Sequence, residues 1–207
     1  MKKIRLQIAL AALAACPSNP SIKGQTIGSF SFYAIPMSGD CSYIAVPPLD
    51  AGADAGFTFD AILSRDTADA SVAYLIVGNV ERPATFDGQV FASTASAPRH
   101  FIECTCDPVY VTEILQVALL SSSQDDALGR ACPPNPLDGG VPVADPDGGI
   151  SPPCPTPNGC DAVRACGELI DNVVIADAGC QPRAPDAGCN SCSTVFRVEG
   201  QKKANQP

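Results

Sequence analysis

Any chemistry in this 207-residue chain has to come from eleven cysteines, one histidine and a scatter of aspartates. Nucleophilic catalysis of the Ser-His-Asp or Cys-His kind needs a base beside the nucleophile. The single histidine, His100, lies between Arg99 and Phe101 at the start of a short apolar run, the setting of a surface residue, and no Gly-x-Ser-x-Gly sequence accompanies it. An enzyme built from these residues would have to gather polar groups around His100 or Glu113 in a cleft. Structural zinc needs two paired-cysteine knuckles. Cys189-Asn190-Ser191-Cys192 supplies one, but Cys104-Thr105-Cys106 is spaced too tightly to be the second. A redox role for the Cys189/Cys192 pair lacks a preceding βαβ pattern. Asp138, Asp145 and Asp147 lie in Gly-rich segments. A calcium loop begun at Asp145 meets Gly149, Ile150 and Thr156 at positions 5, 6 and 12, where it needs an acid, a glycine and a glutamate. Asp125-Asp126 reads as a solvated turn in a Ser/Gln segment rather than a glycosidase pair. No catalytic residue, metal ligand or cofactor is expected.

The cysteines are better read as structural. Eleven with one histidine point to disulfides and an oxidising compartment. The odd count singles one out, and Cys16 is the candidate. The other ten can pair completely: Cys41, Cys104, Cys106, Cys132, Cys154, Cys160, Cys166, Cys180, Cys189 and Cys192. Spacing does not fix their connectivity, although a Cys132–Cys154 bridge would pin the segment between them.

Residues 1–15 form three zones. Met1 to Arg5 is basic, Leu6 to Leu13 is apolar apart from Gln7, and Ala14-Ala15 is a small-residue exit. This is the layout of a secretory signal, and the apolar run is about half of the roughly 20 residues a transmembrane helix needs. Leu13-Ala14-Ala15-Cys16 resembles the lipobox of bacterial lipoproteins. The resemblance implies a diacylglycerol on the Cys16 thiol, cleavage between Ala15 and Cys16, and acylation of the new α-amine. Several chains on one residue hold a protein stably at a membrane, where one does so only marginally. Pro17 and Ser18 follow the cysteine, where an aspartate would favour the inner membrane, so the resemblance implies the outer membrane. The leader carries three of the 13 basic groups and no acid; the remainder has ten basic against 22 acidic groups, a net of −12. Such a surface suits solubility and disfavours nucleic acid.

The elements that would carry these residues are strands. Residues 16–27 read as a flexible tether. A β domain is expected over 28–131, because short segments there alternate between apolar and polar residues and are separated by turn residues. These segments are 29–35, 56–63, 71–78 as a continuous apolar run, 85–92 with a bulge at Gly88, 100–106 and 109–120. In the last, Ile114, Leu115, Ala118 and Leu119 also fit a helical stripe, but the β-formers Val109, Tyr110, Val111 and Thr112 favour a strand. Residues 132–153 are a Pro/Gly/Asp-rich linker. A Cys-rich segment over 154–200 includes a possible short helix at 161–170 and a closing strand at 193–200. The tail from Gln201 to Pro207 reads as disordered. The expected fold is all-β: an antiparallel sandwich or partly open barrel with a disulfide-rich, loop-rich C-terminal part. Asp-Ala-Gly repeats at residues 50–52, 54–56, 177–179 and 186–188, with the lipobox and the late cysteines, resemble uncharacterised envelope lipoproteins of myxobacterial type. That resemblance implies an envelope protein and no particular activity.

The expected function is therefore that of a lipid-anchored, non-enzymatic structural or interaction module of the envelope, with an envelope protein or a glycan as possible partner. The alternative is a cup for a small apolar ligand or a glycan. Phe30, Phe32, Phe57, Phe59 and Phe86 would then line a cavity rather than fill a solid core. The anchor is checked by metabolic labelling with a palmitate analogue: wild type should label and Cys16→Ala should not, and equal labelling would remove the anchor.

Overall fold

The computed structural model describes residues 22–39, 41, 56–99, 104–105, 109–143, 145, 149–156, 159–175, 180–181 and 189–204. Ala15, Cys16, His100, Cys106, Asp147, the Asp-Ala-Gly repeats apart from Gly56 and most of the 100–106 segment lie outside them. The elements run β1 (Gln25–Gly39), β2 (Phe57–Arg65), β3 (Val72–Val77), β4 (Val80–Phe86), β5 (Val90–Arg99), β6 (Val109–Ser121), α1 (Ser122–Ala127), β7 (Ala162–Val174) and β8 (Cys192–Lys202). Each strand pairs antiparallel with the next, and β8 pairs back onto β1. The result is an all-β, closed up-and-down barrel, the one all-β arrangement that leaves no open sheet edge.

Alternation sets which way the side chains point. Phe30, Phe32 and Ala34 of β1 face inward with Ala61 and Leu63 of β2, Phe86 of β4, Phe91 of β5, Val117 and Leu119 of β6, and Val198 of β8. The outer face carries Asp60, Glu81, Glu168, Arg197 and Glu199. An apolar inside and a charged outside reverse the pattern of a barrel whose wall faces lipid.

The two ends differ. At one, here the base, β1 begins and β8 finishes. There Ser121 caps α1 in a capping box, its hydroxyl accepting from the Gln124 amide while the Gln124 side chain accepts from the Ser121 amide. Gln124 is fully buried and donates to the Pro142 carbonyl at 2.8 Å. Arg164 meets Asp125 at 2.5 Å, both nearly buried. Asp125 is thus a buried ion-pair partner, while Asp126 is the solvated member, paired with Arg130 at 3.1 Å. Leu128, Cys132, Leu137 and Val141 lie over the outer side of Ala118, Leu120 and Cys166.

That cover corrects one sequence expectation. Residues 161–170 are not helical: from Ala162 onward they form the start of β7. Cys166 points outward yet is buried under this segment, so both faces of the strand look apolar and the period of two is masked. The 85–92 segment is likewise two strand ends rather than one bulged strand. Gly88, at φ +103°, sits in the β4–β5 turn. Asp87 Oδ1 accepts from the amides of Gln89 at 2.9 Å and Val90 at 2.6 Å, an Asx-type turn. The tether is shorter than 16–27, since β1 starts at Gln25. Gln201 and Lys202 belong to β8, and the Lys203 amide donates to the Ser29 carbonyl at 2.8 Å. Lys203 Nζ lies 2.6 Å from Asp60, and that hydrogen bond holds the Asp60 carboxyl below its usual range. The bridges between described residues include Cys41–Cys192, Cys104–Cys189, Cys132–Cys166 and Cys154–Cys160, so Cys132 joins Cys166 rather than Cys154, and Cys180 is disulfide-bonded as well.

Removing one partner of a buried ion pair strands the other charge, at about 3–5 kcal/mol. Asp125→Ala should lower the unfolding free energy by about 3 kcal/mol. Asp126→Ala should change it by less than about 1 kcal/mol. Urea denaturation of the two variants side by side checks the contrast.

Candidate functional site

At the end opposite the base, the mouth, β1 finishes and β8 begins. Phe30, Phe32, Phe86 and Phe91 are all buried and fill the lower interior. The glycine facing Phe32 makes this possible: Gly200 is its cross-strand partner, and a Cβ there would come within 2.6 Å of the Phe32 ring. The aromatic stack continues upward. Phe59 stacks on Phe32 with centroids 5.0 Å apart, and Phe57 meets Phe196 edge-on at 5.3 Å.

Above Phe32 the interior is not filled. A cavity of about 170 Å³ is lined by Phe57, Phe59, Leu75, Val77, Arg82, Ser93, Glu113, Leu115, Leu169 and Asp171. Its two sides differ chemically. β2 and β3 contribute Phe57, Phe59, Leu75 and Val77. The polar residues come from β4 to β7. On β5 the cross-strand neighbour of Glu113 is Ala95, a small residue beside which Arg82 Nη2 reaches Glu113 at 2.9 Å. The side chains of this pair keep 24% and 29% of their exposure, so both remain accessible from the mouth. Asp171 stands opposite Glu113 in the β6–β7 register. Like charges directly opposite one another are unfavourable, and the guanidinium on Glu113 offsets part of that cost. Ser93 Oγ donates to the Pro83 carbonyl at 2.9 Å. A hydroxyl spent on a backbone carbonyl is not an activated nucleophile.

Disulfides brace the rim. Cys41–Cys192 ties the residue two past β1 to the first residue of β8, with Cα atoms 5.1 Å apart. The sulfurs of Cys104, Cys180 and Cys189 lie within 4.8 Å of one another. All three are in disulfides, so this is a cluster of bridges rather than a set of thiolate ligands. Below it, Val109 and Val173 pack with Cys41.

Of the residues examined in sequence, the structure brings Glu113, Phe57 and Phe59 into one cavity and places Phe30, Phe32 and Phe86 in the plug beneath it. Asp138 and Asp145 lie on the base segment, away from the cavity. Arg82 and Asp171 belong to no motif in the sequence. The signal available was a charge at an inward position of an alternating strand: Arg82 shares its face with Ala84 and Phe86, and Asp171 shares its face with Leu169 and Val173. The fold and site together define a half-filled up-and-down barrel with an amphipathic mouth. No protein-family model, curated protein or solved structure matches the chain.

The plug sets the cavity floor. Gly200→Ala should therefore cost about 1–3 kcal/mol by driving a methyl into the Phe32 ring. Phe32→Leu in the same chain should recover part of that loss, as read by thermal unfolding of the single and double variants.

Proposed function

We propose that the protein is a lipid-anchored binding protein of the cell envelope, held at Cys16, whose barrel mouth takes a small, mainly apolar ligand. One observation carries the binding half of this reading. The closed barrel is filled by phenylalanines at its base, and its mouth keeps a lined cavity with a few convergent polar groups. Small-molecule sites have this composition.

The topology supports an orientation for the anchored protein. β1 runs from base to mouth, so a lipid at Cys16 attaches at the base. The residues between Cys16 and β1 can span at most roughly 30 Å. The base then faces the membrane and the mouth faces away from it, open to whatever diffuses past. The disulfides support an oxidising compartment for the chain.

An enzymatic reading would build on Glu113 and Asp171 as paired carboxylates. Glu113 is engaged by Arg82, and Ser93 is engaged by backbone. The described residues of the cavity thus offer recognition groups rather than a nucleophile with its base, which favours binding.

Toluene tests the cup itself. Its titration into the full chain should shift the methyl NMR signals of Leu75, Val77, Leu115 and Leu169 together and saturably, and Leu115→Trp should abolish the response. Signals that stay unmoved in the wild type would refute the binding reading.

A further inference from the structure

We infer that the ligand is a small uncharged aromatic compound with one hydroxyl group, seated with its ring against Phe57 and Phe59 and its hydroxyl on the Arg82–Glu113 pair. This inference rests on the proposed cup and specifies what the cup selects.

Size comes first. A dry apolar cavity of about 150 Å³ accommodates benzene. At about 170 Å³ this one suits a single six-membered ring with a short substituent. The body of the ligand follows from the β2–β3 side, where the two phenylalanine rings, Leu75 and Val77 give an aromatic and aliphatic surface. Rings pair favourably at centroid separations of about 4.5–7 Å.

The head group follows from charge. Arg82 spends Nη2 on Glu113, and among the described residues its other N–H groups donate to no protein acceptor. A guanidinium has five such donors, and a carboxylate accepts at both oxygens. The pair therefore offers a donor and an acceptor side by side, yet is itself neutral. A carboxylate ligand would place two anions on one guanidinium. An ammonium ligand would place two cations on Glu113. In a partly desolvated site either mismatch is costly. A hydroxyl accepts from Arg82 and donates to Glu113 without adding charge. A sugar fails for the opposite reason: its hydroxyls encircle the ring, and those facing Phe59, Leu75 and Val77 would lose water without gaining a partner.

The test compares benzyl alcohol, benzoate, benzylamine, toluene and methyl glucoside by titration calorimetry on the full chain at neutral pH. Benzyl alcohol should bind at least about ten-fold tighter than benzoate or benzylamine, and tighter than toluene. Glu113→Gln removes the charge that balances Arg82 and should reverse the order in favour of benzoate; circular dichroism checks that this variant keeps its β fold. Equal binding of toluene and benzyl alcohol, or tighter binding of either charged probe by the wild type, overturns the head-group assignment and leaves the cup intact. Tighter binding of methyl glucoside overturns the aromatic class. If all five fail to bind, the cup itself is wrong.

Discussion

Pairing of β8 on both of its edges is the constraint on which the rest of this molecule depends. β8 meets β7 from Cys192 to Gln201 and β1 from Thr194 to Lys202. Without it β1 and β7 would each present an unpaired edge, the usual origin of aggregation in sheet proteins. The same strand shapes the interior. Its inward residues include Phe196 beside the mouth, Val198 below it, and Gly200, whose missing side chain admits Phe32. Cys192 fastens its first residue to Cys41 across 151 residues of sequence. In a chain-entropy account, closing a loop of that length destabilises the unfolded chain by about 5 kcal/mol, a share of which the other bridges already contribute.

Much of the barrel is legible in the sequence because one wall side is apolar and the other polar. β1, β2 and β8 announce themselves by alternation, whereas β6 also carries Ile114, Leu115, Ala118 and Leu119 at helical spacing. The signal fails where the outer face is also covered. Cys166 lies under the 132–141 segment, and a stripe of apolar residues at helical spacing results from two buried faces rather than one. It fails again at Asp87-Gly88, where a hairpin turn with a glycine at positive φ can be mistaken for a bulge inside one strand. Disulfide connectivity is not legible at all. It depends on which strand ends the barrel brings together, and Cys132 finds Cys166 only once β7 is laid beside β6.

The site is less legible than the fold for a related reason. The phenylalanines stand out, but their division into plug and wall depends on strand register and on Gly200, which faces the Phe32 ring. Arg82 and Asp171 look like ordinary strand charges until their parity is known. Once the register is fixed, each occupies a position where an apolar residue would complete the core. An ion pair at such a position is weak evidence of stabilisation, since well-packed apolar side chains of similar volume serve a core at least as well. Its place at the accessible end of the barrel sets hydrogen-bonding groups above the apolar plug of Phe30, Phe32, Phe86 and Phe91.

The hydrogen bond from the Lys203 amide to Ser29 carries a further implication. It places the exit of β8 directly beside the entry of β1, at the base. The covalent break in this meander is therefore a matter of bookkeeping rather than architecture. A short linker between those two ends, with a new opening at the Gly78-Asn79 turn, would give a permuted chain with the same strand neighbours and the same interior. By the same geometry, a reporter domain appended after β8 would sit beneath the barrel, leaving the path into the mouth clear.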